Sequence, residues 1–501
     1  MLRVASATLA LATVVMTTAA QAQMPAIGVP KGHLRVELGG EFATVNGGST
    51  ADAWNADVGA AFLPQLAGAE SRIRSITGNA SYRLSAGRSS VTASSQVGRG
   101  NIHAALGLTR RITLFGTLPF VRTRAQTRLA FDSVGSGAGL NPADPLTGGN
   151  AAVMDSFFTE FQAALNTLAT KIANGDYNGN PSQLALANQT VAAGNAMIAD
   201  FNAIYLDPAT ASPFVPTATS GAGIAMLNAV NGIQANFTAL SVAGFDADPK
   251  FAAHRLTPTE YADFLNDPDG HVRMTFRGNQ ILQRPGDAEL GLVYTVVDRP
   301  ALRVAATGLV RLPTGLMDRS ENFFDIGTGD GQTDVEGRLT ADLAHGAIGA
   351  RLTFGYNDQL ASTLTRRVGS PAFPVAYFDQ VASVSRDLGN EMTIGVEPFV
   401  RLAPGFALTA GVIRWSHGAD EVTYAEPFLA TGPASVLAED TKRSATMFQT
   451  GLTYSSFAGI LGKGGPIEAR WAYRSVISTS GGQVDKTKTM WFQFRAYYKL
   501  W

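Results

Sequence analysis

From residue 288 to the C-terminus one phrase recurs: an alternating apolar and polar run, a turn of two or three residues, a second alternating run, then a longer polar loop. Side chains on a strand point to opposite faces with period two. Leu302, Val304, Ala306, Gly308, Val310 and Leu312 therefore share one face, and Arg303, Ala305, Thr307, Leu309 and Arg311 the other. The next run is sharper still. Val335, Gly337, Leu339, Ala341 and Leu343 are apolar, whereas Asp334, Glu336, Arg338, Thr340 and Asp342 are all ionic or polar. The short connections, Asp298-Arg299-Pro300, His345-Gly346 and Ala403-Pro404-Gly405, have turn chemistry, and longer segments lie at 317–331, 417–443 and 479–487. Short turns at one end and long loops at the other mark a transmembrane barrel. A soluble sandwich also alternates but offers no reason for that asymmetry.

The N-terminus fits the same compartment. Arg3 precedes an apolar stretch over residues 4–16, and Ala20-Gln21-Ala22 is a small-residue cleavage box, which predicts a secretory signal over 1–22 cut between Ala22 and Gln23. Beyond it no run approaches the roughly 20 apolar residues of a spanning helix, so helical membrane proteins are excluded while barrels are not. Only 16% of residues are charged and the net charge is -1, which gives no basic face for nucleic acid. Without cysteine, disulfide scaffolds, thiolate zinc sites and cysteine nucleophiles are excluded.

Candidate strands fall at 33–45, 71–84, 89–97, 101–109, 112–123, 287–297, 301–312, 333–344, 347–357, 376–386, 391–402, 406–416, 444–456, 466–477 and 488–501, with 359–367 as a further one. The expected fold is all-β: a transmembrane antiparallel β-barrel of about 14 strands, or 12 or 16, with an α-helical insertion. In the last strand Phe492, Phe494, Ala496, Tyr498 and Leu500 share a face, and Trp491, Tyr497 and Trp501 are read as interfacial girdle rings.

Between about 125 and 286 the period changes to 3.6. Met154, Phe158, Phe161, Leu165, Leu168 and Ile172 form one stripe, and Leu184, Ala187, Val191, Gly194, Ile198, Phe201 and Tyr205 another. A third helix is expected near 224–240, and Thr257-Pro258-Thr259-Glu260 opens a fourth as a capping box. The expected organisation is a signal peptide (1–22), N-terminal strands (23–124), a helical insertion standing outside as a cap or folding down as a plug (125–286), and C-terminal strands (287–501).

Several phrases together resemble a family. Leu106-Gly107-Leu108-Thr109-Arg110-Arg111-Ile112-Thr113-Leu114 with Leu118-Pro119-Phe120, and Gly286-Asp287-Ala288-Glu289-Leu290-Gly291-Leu292, are similar to stretches of the outer-membrane transporters of the MetA pathway of phenol degradation. So are Leu312-Pro313-Thr314-Gly315, then Gly327-Thr328-Gly329 and Gln332-Thr333-Asp334. These motifs are spread over about half of the mature chain, from 106 to 334, and the helical insertion departs from the family pattern. Such families resemble long-chain fatty-acid channels, which implies passage of small apolar or aromatic compounds across the bacterial outer membrane. The aromatic C-terminal strand resembles the signal by which outer-membrane proteins reach the barrel assembly machinery, with Trp501 in place of the usual Phe.

No Gly-x-Ser-x-Gly elbow, His-Glu-x-x-His or phosphate loop occurs, and Gly462-Lys463 lacks the upstream glycine. The six histidines, His33, His103, His254, His271, His345 and His417, are scattered. Asp325, Asp330 and Asp334 match no complete calcium ligand set and read as solvated turn carboxylates. No cofactor, metal or enzymatic activity is expected. The faces predicted to line the lumen hold Arg303, Arg311, Asp334, Glu336, Arg338, Asp342, Arg351, Glu397 and Arg401, whose mixed signs favour paired networks. The expected partners are outer-membrane lipid, the assembly machinery and a small apolar solute. The expected function is a passive channel for hydrophobic or aromatic compounds, with a general porin and a surface protein anchored by a plugged barrel as alternatives.

Overall fold

The computed structural model describes residues 28–45, 54–63, 65–276, 278–369, 375, 377–403, 405–428, 432–456, 466–482, 484 and 487–501. The expected signal segment with its Ala22–Gln23 junction, the turn residue Pro404 and the Gly462-Lys463 pair lie outside them. Twelve antiparallel strands close into a ring: β1 (His33–Val45), β2 (Ser85–Gly107), β3 (Ile112–Asp132), β4 (Ala288–Arg299), β5 (Leu302–Leu312), β6 (Asp334–His345), β7 (Ile348–Gln359), β8 (Glu391–Ala403), β9 (Phe406–His417), β10 (Arg443–Ser455), β11 (Ile467–Gly481) and β12 (Thr487–Lys499). Each pairs with its neighbour in sequence, and β1 pairs with β12 from His33↔Lys499 to Val45↔Thr487, which closes the barrel.

The count is twelve rather than fourteen for three physical reasons. The first half of the segment read as a strand at 71–84 is the end of helix α1 (Gln65–Thr77), whose Leu66, Ala69 and Ile73 are fully buried at helical spacing. The candidates 89–97 and 101–109 are one continuous strand, β2. The candidate at 376–386 belongs to a separate sheet of Ser362–Arg367, Val381–Asp387 and Glu421–Tyr424, built from long loops.

Burial is inverted relative to a soluble protein. Leu290 is 58% and Phe492 60% exposed, while Arg311 is 6% and Arg495 3% exposed. Outward positions of successive strands, among them Leu38, Leu114, Leu292, Leu339, Leu352, Ile394, Val412 and Phe494, form an exposed apolar surface. Only a hydrocarbon environment favours that surface, and a closed barrel is the β architecture that leaves no backbone edge unpaired within it. The chain is therefore an outer-membrane barrel, with short turns at one end and long loops at the other. Trp491 and Tyr497 correct the expectation of girdle rings: both are buried inside, at 4% and 7% exposure, and only Trp501 stands exposed. Their odd register, shared with Gln493 and Arg495, puts them in the lumen.

β2 and β3 run to 23 and 21 residues against 11 to 15 for the other barrel strands. At about 3.3 Å per residue they rise well past an apolar band roughly 25 Å tall. The protruding hairpin is widened by Trp54–Gly59 on one side and Gln280–Pro285 on the other. The helical part is thus entered from β3 at Asp132, beyond the expected boundary at 125. It comprises α2 (Asp155–Ala173), α3 (Pro181–Tyr205), α4 (Gly221–Ala239) and α5 (Pro258–Asn266), with α1 packed against α3 and α4.

Caps fix the starts of these helices. Asn180 accepts from Gln183 N ahead of Pro181, Ser220 from Gly223 N, and Thr257 with Glu260 forms the expected capping box. Phe157, Phe161, Leu165, Phe201, Phe237 and Tyr261 make one core with the inward side chains Val91, Ala93, Val97, Val121 and Ala125 of the hairpin. Phe157 enters that core more deeply than Phe158, a small shift from the expected stripe. Gly194 permits the close approach of α3 to α2, since a Cβ there would lie 2.6 Å from Leu165. The helices therefore stand as a cap on the inner face of the extended hairpin.

Candidate functional site: the barrel lumen

Alternation sends every second side chain of the ring inward, and the polar ones meet in layers. Arg495 Nε donates to Glu37 at 2.6 Å, and Tyr497 Oη donates to Glu468 at 2.7 Å. Arg470 pairs with Glu397 at 2.6 Å, which also accepts from Gln449 at 2.8 Å. Gln449 in turn accepts from Arg474 at 2.7 Å. Across the ring, Arg311 reaches Glu289 at 3.2 Å, Asp334 at 2.5 Å and Glu336 at 3.5 Å, and Arg338 pairs with Glu336. Asp342 receives Arg351 bidentately at 2.6 and 2.7 Å. His103 bridges Arg35 at 3.0 Å and Thr117 at 2.9 Å. Buried charges persist only when paired in this way.

Of the nine side chains assigned to the lumen from sequence, Arg311, Asp334, Glu336, Arg338, Asp342, Arg351 and Glu397 lie in these networks. Arg303 and Arg401 share the inward register but stand at the short-turn rim. Arg303 pairs with Asp298 at 3.5 Å, and Arg401 is exposed and donates to Gly346 O at 2.9 Å. Sequence reasoning missed Glu37, Glu41, Arg99, Glu289, Glu468, Arg470, Arg474 and Arg495. The same odd-even alternation in β1, β2, β4, β11 and β12 carried the signal for them.

The motif residues 312–315 and 327–334 converge on a loop folded over the lumen. Asp287 is the hub: Oδ1 accepts from Gly315 N at 2.8 Å and Oδ2 from Asp330 N at 3.3 Å. Thr314 Oγ1 donates to Gly286 O, and Thr328 Oγ1 donates to Pro285 O. A Cβ on Gly315 would sit 2.7 Å from Gly329 Cα, and one on Gly327 2.5 Å from Leu316 O, so glycine is required for the crossing. Leu312 ends β5 and Pro313 begins the loop, while Asp334 opens β6 within the Arg311 network. Burial pushes the Asp287 carboxyl up, and pushes Asp330 up to about 6 with the help of nearby Asp334 and Asp287. Asp325 accepts from Gln280, Asn322 and backbone nitrogens rather than meeting Asp330 and Asp334, and among the described residues no three acidic or histidine side chains gather as metal ligands.

Beneath this loop lies a cavity of about 60 Å³ whose mouth opens into solvent, walled by β1 to β5 and β12 through residues such as Glu41, Arg99, Thr117, Glu289, Arg311 and Trp491. Toward the short-turn end one side of the lumen is apolar: Val29, anchored by Val29 N donating to Thr113 Oγ1 at 2.8 Å, packs with Ala105, Phe115, Leu309 and Tyr497.

No family model matches the sequence, and no curated protein matches it. Solved structures do align. An outer membrane channel from Pseudomonas putida F1 is 9% identical over 95% of this chain and 99% of that one, with a TM-score of 0.42. The CymD monoaromatic hydrocarbon channel is 10% identical over 94% and 89%, with a TM-score of 0.27. A Pseudomonas aeruginosa FadL homologue is 7% identical over 94% and 90%, also at 0.27. At such values the function has to be read from the chain's own residues. Those residues define a class, a bacterial outer-membrane β-barrel with a layered ionic lumen and a helical insertion.

Proposed function

We propose that the protein is a passive outer-membrane channel for small compounds, with small aromatic or hydrophobic molecules bearing a polar group as its solutes. The observation that carries this reading is the sequence of surfaces along the axis. The apolar inner face of β2 and β3 under the cap, ending at Val97 and Val121, leads directly to Arg99 and the charged cavity. A solute with an apolar body and a polar end is matched to both. A general porin is disfavoured because Glu37, Glu468, Arg470 and Arg495, at 1 to 3% exposure, fill the middle of the lumen. The surface-anchor reading draws on the apolar cluster that Val29 forms inside the short-turn end. The assembly machinery recognising the C-terminal strand is part of the same proposal.

The test is uptake of benzyl alcohol into proteoliposomes alongside conductance in a planar bilayer. Uptake above empty liposomes with small or absent steady current is the expected result. Large ohmic current would replace this reading by a porin, and absence of both would replace it by an anchor.

A further inference from the structure

Register sets three lumenal side chains in one row across adjacent strands: Trp491 of β12 pairs with Glu41 of β1, and Glu41 with Arg99 of β2. One level nearer the short turns, Gly39 stands between Gln493 and Asn101. The missing side chain there makes room, since a Cβ on Gly39 would fall 2.6 Å from Asn101 Oδ1. All of these residues line the cavity beneath the loop.

The row is chemically incomplete. Arg99 Nε and Trp491 Nε1 are buried donors, and Glu41 Oε2 and Gln493 Oε1 buried acceptors, without a hydrogen-bond partner among the described residues. Trp491 and Gln493 are 4% and 3% exposed. Neighbouring groups are engaged elsewhere: Arg311 with Glu289 and Asp334, the Gln493 amide nitrogen with Glu37, and the Trp491 ring with Arg470, whose guanidinium sits 4.8 Å from its centroid. Buried polar groups are normally satisfied, and leaving them unpaired is costly. Two donors and two acceptors around one cavity call for a guest that supplies both kinds of partner.

The order of the row constrains that guest. Arg99 at one end takes an anion. Glu41 and Gln493, next to Trp491 at the other end, need a donor, and the indole N–H needs an acceptor; a hydroxyl group is both. Glu41 stands between Arg99 and Trp491 in the row and repels an anion turned toward it, so the carboxylate takes the side of Arg99 away from Glu41 and the hydroxyl stands at the opposite end of the molecule. We propose that this cavity binds a small hydroxylated aromatic acid, with its carboxylate on Arg99 and its hydroxyl between Glu41, Gln493 and Trp491. The assignment rests on the channel reading for its aromatic body and narrows that reading to one solute class.

Equilibrium dialysis of the purified full-length protein in detergent with radiolabelled 4-hydroxybenzoate tests it. The expected result is saturable binding, with benzoate and phenol competing at least about tenfold more weakly, as the loss of a charge-assisted or buried hydrogen bond implies. Arg99→Gln and Trp491→Phe should each weaken binding about tenfold while keeping the heat-modifiable electrophoretic mobility of a folded barrel. Absence of saturable binding, equal competition by all three compounds, or binding unchanged in both folded variants would overturn the proposal. The wild-type competition series decides the matter even if a variant fails to fold. Benzyl alcohol uptake without 4-hydroxybenzoate binding would sink the site alone, whereas binding without any uptake would sink the channel reading alone.

Discussion

The membrane ring and the helical cap bury opposite things. In the ring, Leu38, Leu352 and Phe492 face outward and the charges of Glu37, Arg311 and Arg495 are enclosed. In the cap, Phe157, Phe161 and Phe237 are enclosed, while Glu160, Lys171 and Asp207 remain at or near the surface. The same chain thus folds against two solvents, and the changeover runs along one element. The inner face of β2 is polar at His103, Asn101 and Arg99 within the membrane and apolar at Val97, Ala93 and Val91 above it. Stability in the ring depends on pairing charges, and stability in the cap depends on packing apolar volume.

The most severe break of that comparison is Arg311→Leu. It leaves Glu289, Asp334 and Glu336 around an uncompensated centre and should cost about 3–5 kcal/mol, the penalty for removing one partner of a buried ionic cluster. The expected outcome is a marked drop in the urea midpoint of the folded barrel. In the cap, Phe161→Ala should cost about 3–4 kcal/mol by opening a cavity in a fully buried aromatic cluster. Proteolysis of the cap should accelerate while the heat-modifiable mobility of the barrel persists; simultaneous loss of both would show that ring and cap are one cooperative unit.

On the lipid side, Leu352→Arg should destabilise by about 2–4 kcal/mol in bilayers, although the same change on a water-exposed face would be nearly neutral. An insensitive variant would refute the lipid assignment of that face. Thr257→Ala removes the hydroxyl half of the capping box at α5, the bond from Glu260 N to Thr257 Oγ1, and should cost about 1 kcal/mol, seen as faster amide exchange over 258–266.

The smallest effect is a pH dependence of the lumenal loop. Asp330 binds its proton more tightly in the fold than when unfolded, so its contribution is full below about pH 4 and is lost as pH rises through about 6. Amide exchange over 313–333 should therefore quicken between pH 4 and 6, and Asp330→Asn should flatten that rise. An unchanged slope in the variant would assign the dependence to Asp287 or to another group.

Much of the ring was legible because alternation is a local property. Asp334 to Asp342 against Val335 to Leu343 already separates lumen from lipid, and the same rule, applied strictly, places Trp491 and Tyr497 inside. Aromatic character drew those two toward the interface in the sequence reading, whereas parity decided their position. Helix α1 was missed because the weak alternation of 71–84 overlapped a short helical spacing, Leu66-Ala69-Ile73, that only becomes decisive once a core exists to bury it. The Thr257–Glu260 box was read correctly because a cap is made within four residues.

What the sequence determined by itself is the set of faces, turns and caps, since each depends on neighbours a few residues apart and on backbone geometry. The tertiary structure decided the closure at twelve strands, the pairing of Glu37 with Arg495 across 458 residues, the gathering of the motif glycines on Asp287, and the row of unsatisfied groups at Glu41, Arg99 and Trp491. The physical reason is that shear, strand number and cross-ring contacts are properties of the closed cylinder, and no single strand contains them.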